Sequence, residues 1–321
     1  MKKNKINGIK PFNEFFFKSC YYHQLLAGIA CFGVDKEAIL LNSFTSIQPS
    51  FNTGKNGFLR EEKLERLLGY KRIHCNISRA KLMRCINKSQ PVIMGVDCYY
   101  LNSRPDTYLI QHMPHFVLIY GYDVDNKTAN IVDHQYRNSY TYIEKTVSLD
   151  NILLANKMFR KGVLNRKRSC YILKKKRITS LFDVWQYIDE KKINDNREGS
   201  LKNINELRRI INYDLDAVRE NVEKITNYLN DLKTFYFMLS KINYFTESQE
   251  RQKSIMMLVS AYSNILSLFW KVKAQNNYDY ISRHSDNVLR KLTEIEELEK
   301  TVYDLLMEVR KKDESIYSDK S

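Results

Sequence analysis

Little in this sequence announces a metal, a membrane or a disulfide. Its six cysteines, at positions 20, 31, 75, 85, 98 and 170, are scattered without a CxxC pair. Such spacing excludes a zinc ribbon or finger and predicts reduced thiols rather than a disulfide framework. No window reaches the roughly 18 apolar residues of a membrane span, and the basic opening MKKNKINGIKPFNEFFFKSC lacks the apolar core and cleavage site of a secretory signal. A cytoplasmic protein with no metal site and no membrane partner is expected. Helix breakers are missing from the last third: all five prolines precede residue 115 and the last glycine is Gly199. Acid is missing from residues 151 to 177, and the chain carries 52 Lys and Arg against 37 Asp and Glu, a net charge of +15. That imbalance implies an acidic partner.

The breaker-free tail reads as helix. From Ser200 its apolar residues fall at Ile204, Leu207, Ile211, Leu215, Val218, Val222, Ile225, Leu229 and Leu232, in steps of three and four. A second run spans Ile255 to Val272 and a third spans Val288 to Val309. Three helices joined by polar turns near 243–253 and 275–285 predict an antiparallel bundle. The first run also satisfies a heptad, so a coiled coil between two copies, a homodimer, is the alternative.

The first half is mixed. Short helices are expected at Arg60 to Leu68, ending at Gly69, and at Ser78 to Ile86. Runs rich in β-branched and aromatic residues then follow: PVIMGVD (91–97), HFVLIYGYD (115–123), ANIVD (129–133), SYTYI (139–143) and SCYIL (169–173). DVDNKT, between the second and third, has the composition of a hairpin turn. Helices followed by an antiparallel sheet make an α+β domain over residues 1–178, with a helical bundle over 179–321.

Chemistry is expected where FFFKSCYYHQLLAGIACFG (15–33) sets Cys20 in the first turn of a helix capped by Ser19 and stopped by Gly33. The positive end of a helix dipole favours a thiolate there. A thiolate nucleophile needs a base, and the base an orienting acceptor. His115 opens one strand and Asp133 closes the next. If the hairpin centres between Asp125 and Asn126, Asp133 faces Leu118 and His115 lies on the other side of the sheet; a one-residue slip or a bulge brings them together. His112, His134 and Asp123 are the other candidate partners.

The order of CYYHQ, PVIMGVDCYYL, HMPHFVLIYGYD and IVD resembles the amino-terminal domain of the butirosin-biosynthesis acyltransferase family over roughly residues 12–175. The resemblance implies a papain-like fold related to bacteriocin-leader cysteine peptidases. It also implies an activity: an acyl group passes from the phosphopantetheine thioester of a carrier protein to an active-site cysteine and then to an amine, forming an amide. Carried over by position, Cys20 is the nucleophile, His115 the base and Asp133 its orienter. Amide-forming enzymes of antibiotic assembly, closthioamide-type pathways among them, share this architecture. Papain-like enzymes place a glutamine before the cysteine to donate to the oxyanion, and here Asn13 is the nearby amide. No bound cofactor is implied, because the substrate arrives on the carrier's arm.

Tyr22, Tyr99 and Tyr100 are candidates to wall an acyl pocket and Asp97 to hold a small amine acceptor, against the plainer readings of core packing and a turn cap. Residues 157–177 hold ten Lys or Arg, among them Arg160, Lys161, Arg166, Lys167 and Arg168. This is a candidate docking patch for an acidic acyl or peptidyl carrier protein. Nucleic acid is not expected, since no helix-turn-helix, zinc finger or RNA-binding signature accompanies the charge. A cysteine hydrolase on the same site and a non-catalytic helical scaffold are the competing functions.

Overall fold

The apolar runs of the first half pair into an antiparallel sheet. The computed structural model describes residues 2–13, 20–34, 47–48, 52–53, 61–136, 141–163, 169–176, 190–240 and 247–318. Among these, the strands are β1 (Lys3–Lys5), β4 (Tyr70–Cys75), β5 (Val92–Asp97), β6 (Pro114–Asp123), β7 (Thr128–His134), β8 (Tyr142–Ser148) and β9 (Cys170–Lys175), while β2 (Ile47–Gln48) and β3 (Asn52–Thr53) form a separate small hairpin. The seven-stranded sheet runs β4-β9-β5-β6-β7-β8, with β1 pairing along the far end of β6. Every residue of β5 is buried, as expected for a central strand covered on both faces. YKRIHC, which becomes β4 beside β9, is a strand that the periodicity did not signal.

Helix α1 (Cys20–Ala30) begins at the expected cysteine, and Gly33 follows it with φ +72°, a conformation that favours glycine. Ser19, the expected cap, lies outside the described residues. The helix approaches the sheet closely: a Cβ on Gly28 would stand 2.5 Å from Leu173 and 3.1 Å from Leu118. Helices α2 (Glu61–Leu67) and α3 (Arg79–Asn87) fall where expected, the latter capped by the Ser78 side chain accepting from the Lys81 N–H. Helix α4 (Leu149–Met158), capped by Ser148, packs against β5.

The chain divides into two compact units, Met1–Lys36 with Glu62–Phe182, and Glu37–Glu61 with Asp183–Ser321. The expected first domain was one continuous stretch. The β2–β3 hairpin instead belongs to the helical unit, where β2 packs on α5 (Glu190–Tyr213) and β3 on α6 (Leu215–Leu239). The remaining helices are α7 (Gln249–Gln275), the short α8 (Asp279–Arg283) and α9 (Ser285–Ser318).

The first long run is therefore two helices, not one. Asp214 interrupts it, its side chain accepting from the Ala217 N–H at 2.9 Å to cap α6. The chain reverses there: Ser200 and Tyr236 both reach Glu299, whereas a straight helix would hold them about 54 Å apart at 1.5 Å per residue. Tyr262 on α7 joins the same carboxyl, so one buried side chain on α9 ties four helices together. Helix α7 alone among the described residues is long and apolar enough to cross a membrane by length and composition, and half of that window is buried inside the protein.

Candidate functional site

A bulge decides the geometry of the site. Near the turn, β6 and β7 pair as the simple hairpin predicts, with Asp123 opposite Thr128. Between Ile119 and Gly121 the register shifts by one, Tyr120 being the extra residue, so that Leu118 faces Val132. One step further along that register, Asp133 lies across from Val117, and His115, two residues from Val117, points to the same side. The two side chains meet: His115 Nε2 is 2.8 Å from Asp133 Oδ1, with both residues buried.

That contact leaves Nδ1 of His115 for the sulfur of Cys20, to which His115 is hydrogen-bonded. The Cys20 sulfur also accepts from the backbone N–H groups of Phe116 and Tyr21. Burial alone would raise the thiol's pKa, but the imidazole and these N–H groups outweigh it and hold the thiol below its ordinary range. Burial likewise opposes a charged His115, yet Asp133 on one side and Cys20 on the other push the imidazole up to about 9. Both shifts favour a thiolate–imidazolium pair at neutral pH.

Asp133 is itself held by cations. Its Oδ2 accepts from Lys145 Nζ at 3.0 Å, and its Oδ1 from the His134 N–H at 2.7 Å and from Arg104 Nη1 at 3.5 Å. Arg104 is fully buried, with Nε and Nη2 each 3.1 Å from an oxygen of Asp106. With a thiolate on Cys20, three cations (Arg104, Lys145, His115) balance three anions (Cys20, Asp106, Asp133), so the buried cluster carries no net charge. The depressed pKa of Asp133 follows: burial opposes its charge, but His115, Lys145 and Arg104 hold it ionised.

Aromatic rings enclose this cluster. His134 lies 4.8 Å from His115 between ring centroids and edge-on to Tyr142 at 4.2 Å, and His23 stacks on Tyr142 at 4.3 Å. Burial and the neighbouring His115 push His134 down to about 3, so it stays neutral. Arg104, Lys145, His23 and Tyr142 were not singled out in the sequence; no spacing rule marks an arginine in the loop NSRPD as a carboxylate's partner.

The other expected site residues fare differently. Asn13 is not an oxyanion donor: its Nδ2 donates to the Tyr142 carbonyl at 2.9 Å and its Oδ1 accepts from the Tyr142 N–H at 2.8 Å, so the amide is spent tying down β8. Asp97 is not open to an amine. It is buried, with Oδ1 accepting from the N–H groups of Tyr99 and Met113, and Oδ2 standing 2.7 Å from His112 Nδ1. Tyr99 and Tyr100 are half-buried beside it, while Tyr22 packs edge-on against Tyr21. Of the basic patch, Lys161 is exposed and Arg160 half-buried; Arg166, Lys167 and Arg168 lie outside the described residues.

The class defined by these observations is an α+β protein in which a thiol on helix α1 meets an imidazole and a carboxylate on neighbouring strands. Residues 52–134 match the family described as butirosin biosynthesis protein H, N-terminal, which shows the resemblance over that stretch. The match includes His115 and Asp133 and begins after Cys20. No curated protein matches the chain.

Proposed function

We propose that this protein is a cysteine-dependent acyltransferase of natural-product assembly, taking an acyl group from a carrier-protein thioester and delivering it to an amine. The observation that supports it most directly is the relay from half-buried Cys20 to buried His115 and Asp133, with its thiol lowered and its imidazole raised.

The Cys20 thiolate attacks the thioester carbonyl, and the tetrahedral intermediate collapses by breaking the bond to the pantetheine sulfur, which leaves with the proton from His115. The amine then attacks the acyl-enzyme, His115 takes a proton from the amine nitrogen, and Cys20 departs as the thiolate. The first exchange, thioester for thioester, is nearly neutral in free energy, and the second runs downhill to the amide. Asp133 holds the imidazole in place throughout. The basic residues around Arg160 and Lys161 would receive the acidic carrier.

Incubating the protein with an acylated carrier and measuring its intact mass tests this. The acyl mass is expected on wild-type protein and absent from Cys20→Ala; a Cys20→Ala protein that still loads overturns the proposal. Adding an amine to the loaded protein separates transferase from hydrolase, because a hydrolase releases free acid at a rate the amine does not change.

A further inference from the structure

A second imidazole stands at the same end of the sheet as the first. His112, two residues before β6, has Nδ1 2.7 Å from Oδ2 of buried Asp97. A carboxylate in that place accepts the Nδ1 proton and leaves Nε2 with its lone pair, and the His112 side chain is 60% exposed. The ring is held flat against Tyr99, 4.3 Å between centroids and 15° between planes, with Tyr100 at 5.9 Å. Asp97 pairs with Pro114 and Val96 with His115 in the β5–β6 ladder, so the Asp97–His112 dyad and the His115 relay share one strand end.

The proposed reaction leaves work for such a group. An alkylamine at neutral pH is an ammonium and must shed two protons in becoming an amide. His115, neutral after protonating the departing pantetheine thiol, takes only one of them. We infer that His112, oriented by Asp97, is the base that takes the other, and that the acceptor is a primary alkylammonium received against Tyr99 and Tyr100. The balance closes: R–NH3+ gives one proton to His112 Nε2, the free amine attacks the Cys20 thioester, the C–N bond forms as the C–S bond breaks, and His115 takes the second proton while Cys20 leaves as thiolate. His112 then releases its proton to water. The faces of Tyr99 and Tyr100 attract the cation before it is deprotonated.

The inference rests on the acyltransferase reading, and its test separates the two. Wild-type, His112→Gln and Asp97→Asn proteins are loaded with acyl from the carrier and then given either propylamine, an ammonium at neutral pH, or methoxyamine, which is uncharged there. All three are expected to load Cys20 equally, which also reports a folded site. Propylamine turnover is expected to fall by about 100-fold in His112→Gln and to fall in Asp97→Asn, with methoxyamine turnover unchanged in both. Equal losses with the two amines, or no loss with propylamine, overturn this assignment and leave the acyltransferase intact. A wild-type protein that never loads overturns both.

Discussion

At Cys20 the balance of forces is the reverse of what burial alone dictates. A half-buried thiol in a reduced protein ordinarily stays protonated; this one is lowered because the imidazole beside it is raised to about 9. The dependence can be tested through Asp133. In Asp133→Asn the imidazole loses the carboxylate that holds its proton, and the rate of Cys20 alkylation by iodoacetamide at pH 7 is expected to fall by about tenfold or more. In the wild type the sign is fixed by His115: the imidazolium is intact below about 9 and lost above it. Acyl loading is therefore expected to hold level toward pH 8 and to decline through pH 9, as the departing thiolate loses its proton donor. A loading rate that keeps rising past pH 9 would contradict the assigned pair. These residues were legible to different depths. The cysteine, histidine and aspartate stand out in the sequence by type and by the resemblance they complete, whereas Arg104 and Lys145 do not, because a buried cation is recognisable only by the carboxylate it faces.

At the scale of elements the sheet was readable and its register was not. Alternation marks β5, β6 and β7, but nothing in HFVLIYGYD says that Tyr120 is an extra residue; its Oη bonds Glu144 on β8 at 2.6 Å, a contact two strands away. Close packing carries a second test. A Cβ on Gly95 would meet Phe159 ring atoms at 2.5, 2.9 and 3.0 Å, whereas one on Gly28 would meet the flexible ends of Leu173 and Leu118. Gly95→Ala is expected to destabilise by about 1–3 kcal/mol and to lower the thermal midpoint by several degrees, with Gly28→Ala costing less. In the helical unit the three-helix reading failed at Asp214, because a capped reversal without glycine or proline leaves the three-four spacing unbroken. Glu299, at the meeting of four helices, is pushed above the ordinary carboxyl range by burial, although three hydroxyls lower it in part. A carboxyl raised in the folded state costs stability as pH climbs past its unfolded value of about 4.3. Glu299→Gln removes that slope: denaturant midpoints of wild type and variant are expected to agree near pH 4 and to diverge in the variant's favour by pH 7.

For the whole molecule, charge is the property that reaches furthest. With a net charge of +15, and Arg160 and Lys161 beside the first unit's last strand, capture of an acidic carrier is expected to be steered electrostatically. Raising ionic strength from 0.05 to about 0.5 M should raise the KM for the carrier substantially and leave kcat nearly unchanged, since screening acts on exposed charges and not on the buried relay. A KM indifferent to salt would argue for an apolar docking surface.

The hairpin of residues 47–53, drawn from the first half of the sequence into the helical unit, has a further consequence. The backbone passes between the two units three times, so neither is an appendage that a single genetic junction could add or remove. A lineage that acquired the helices by simple end-to-end fusion would have lacked their hairpin, and a chimera joined near residue 182 would carry that hairpin without the helices it rests on. Exchange of this module between relatives requires two breakpoints in register, around residues 37 and 61, as well as the one at 182.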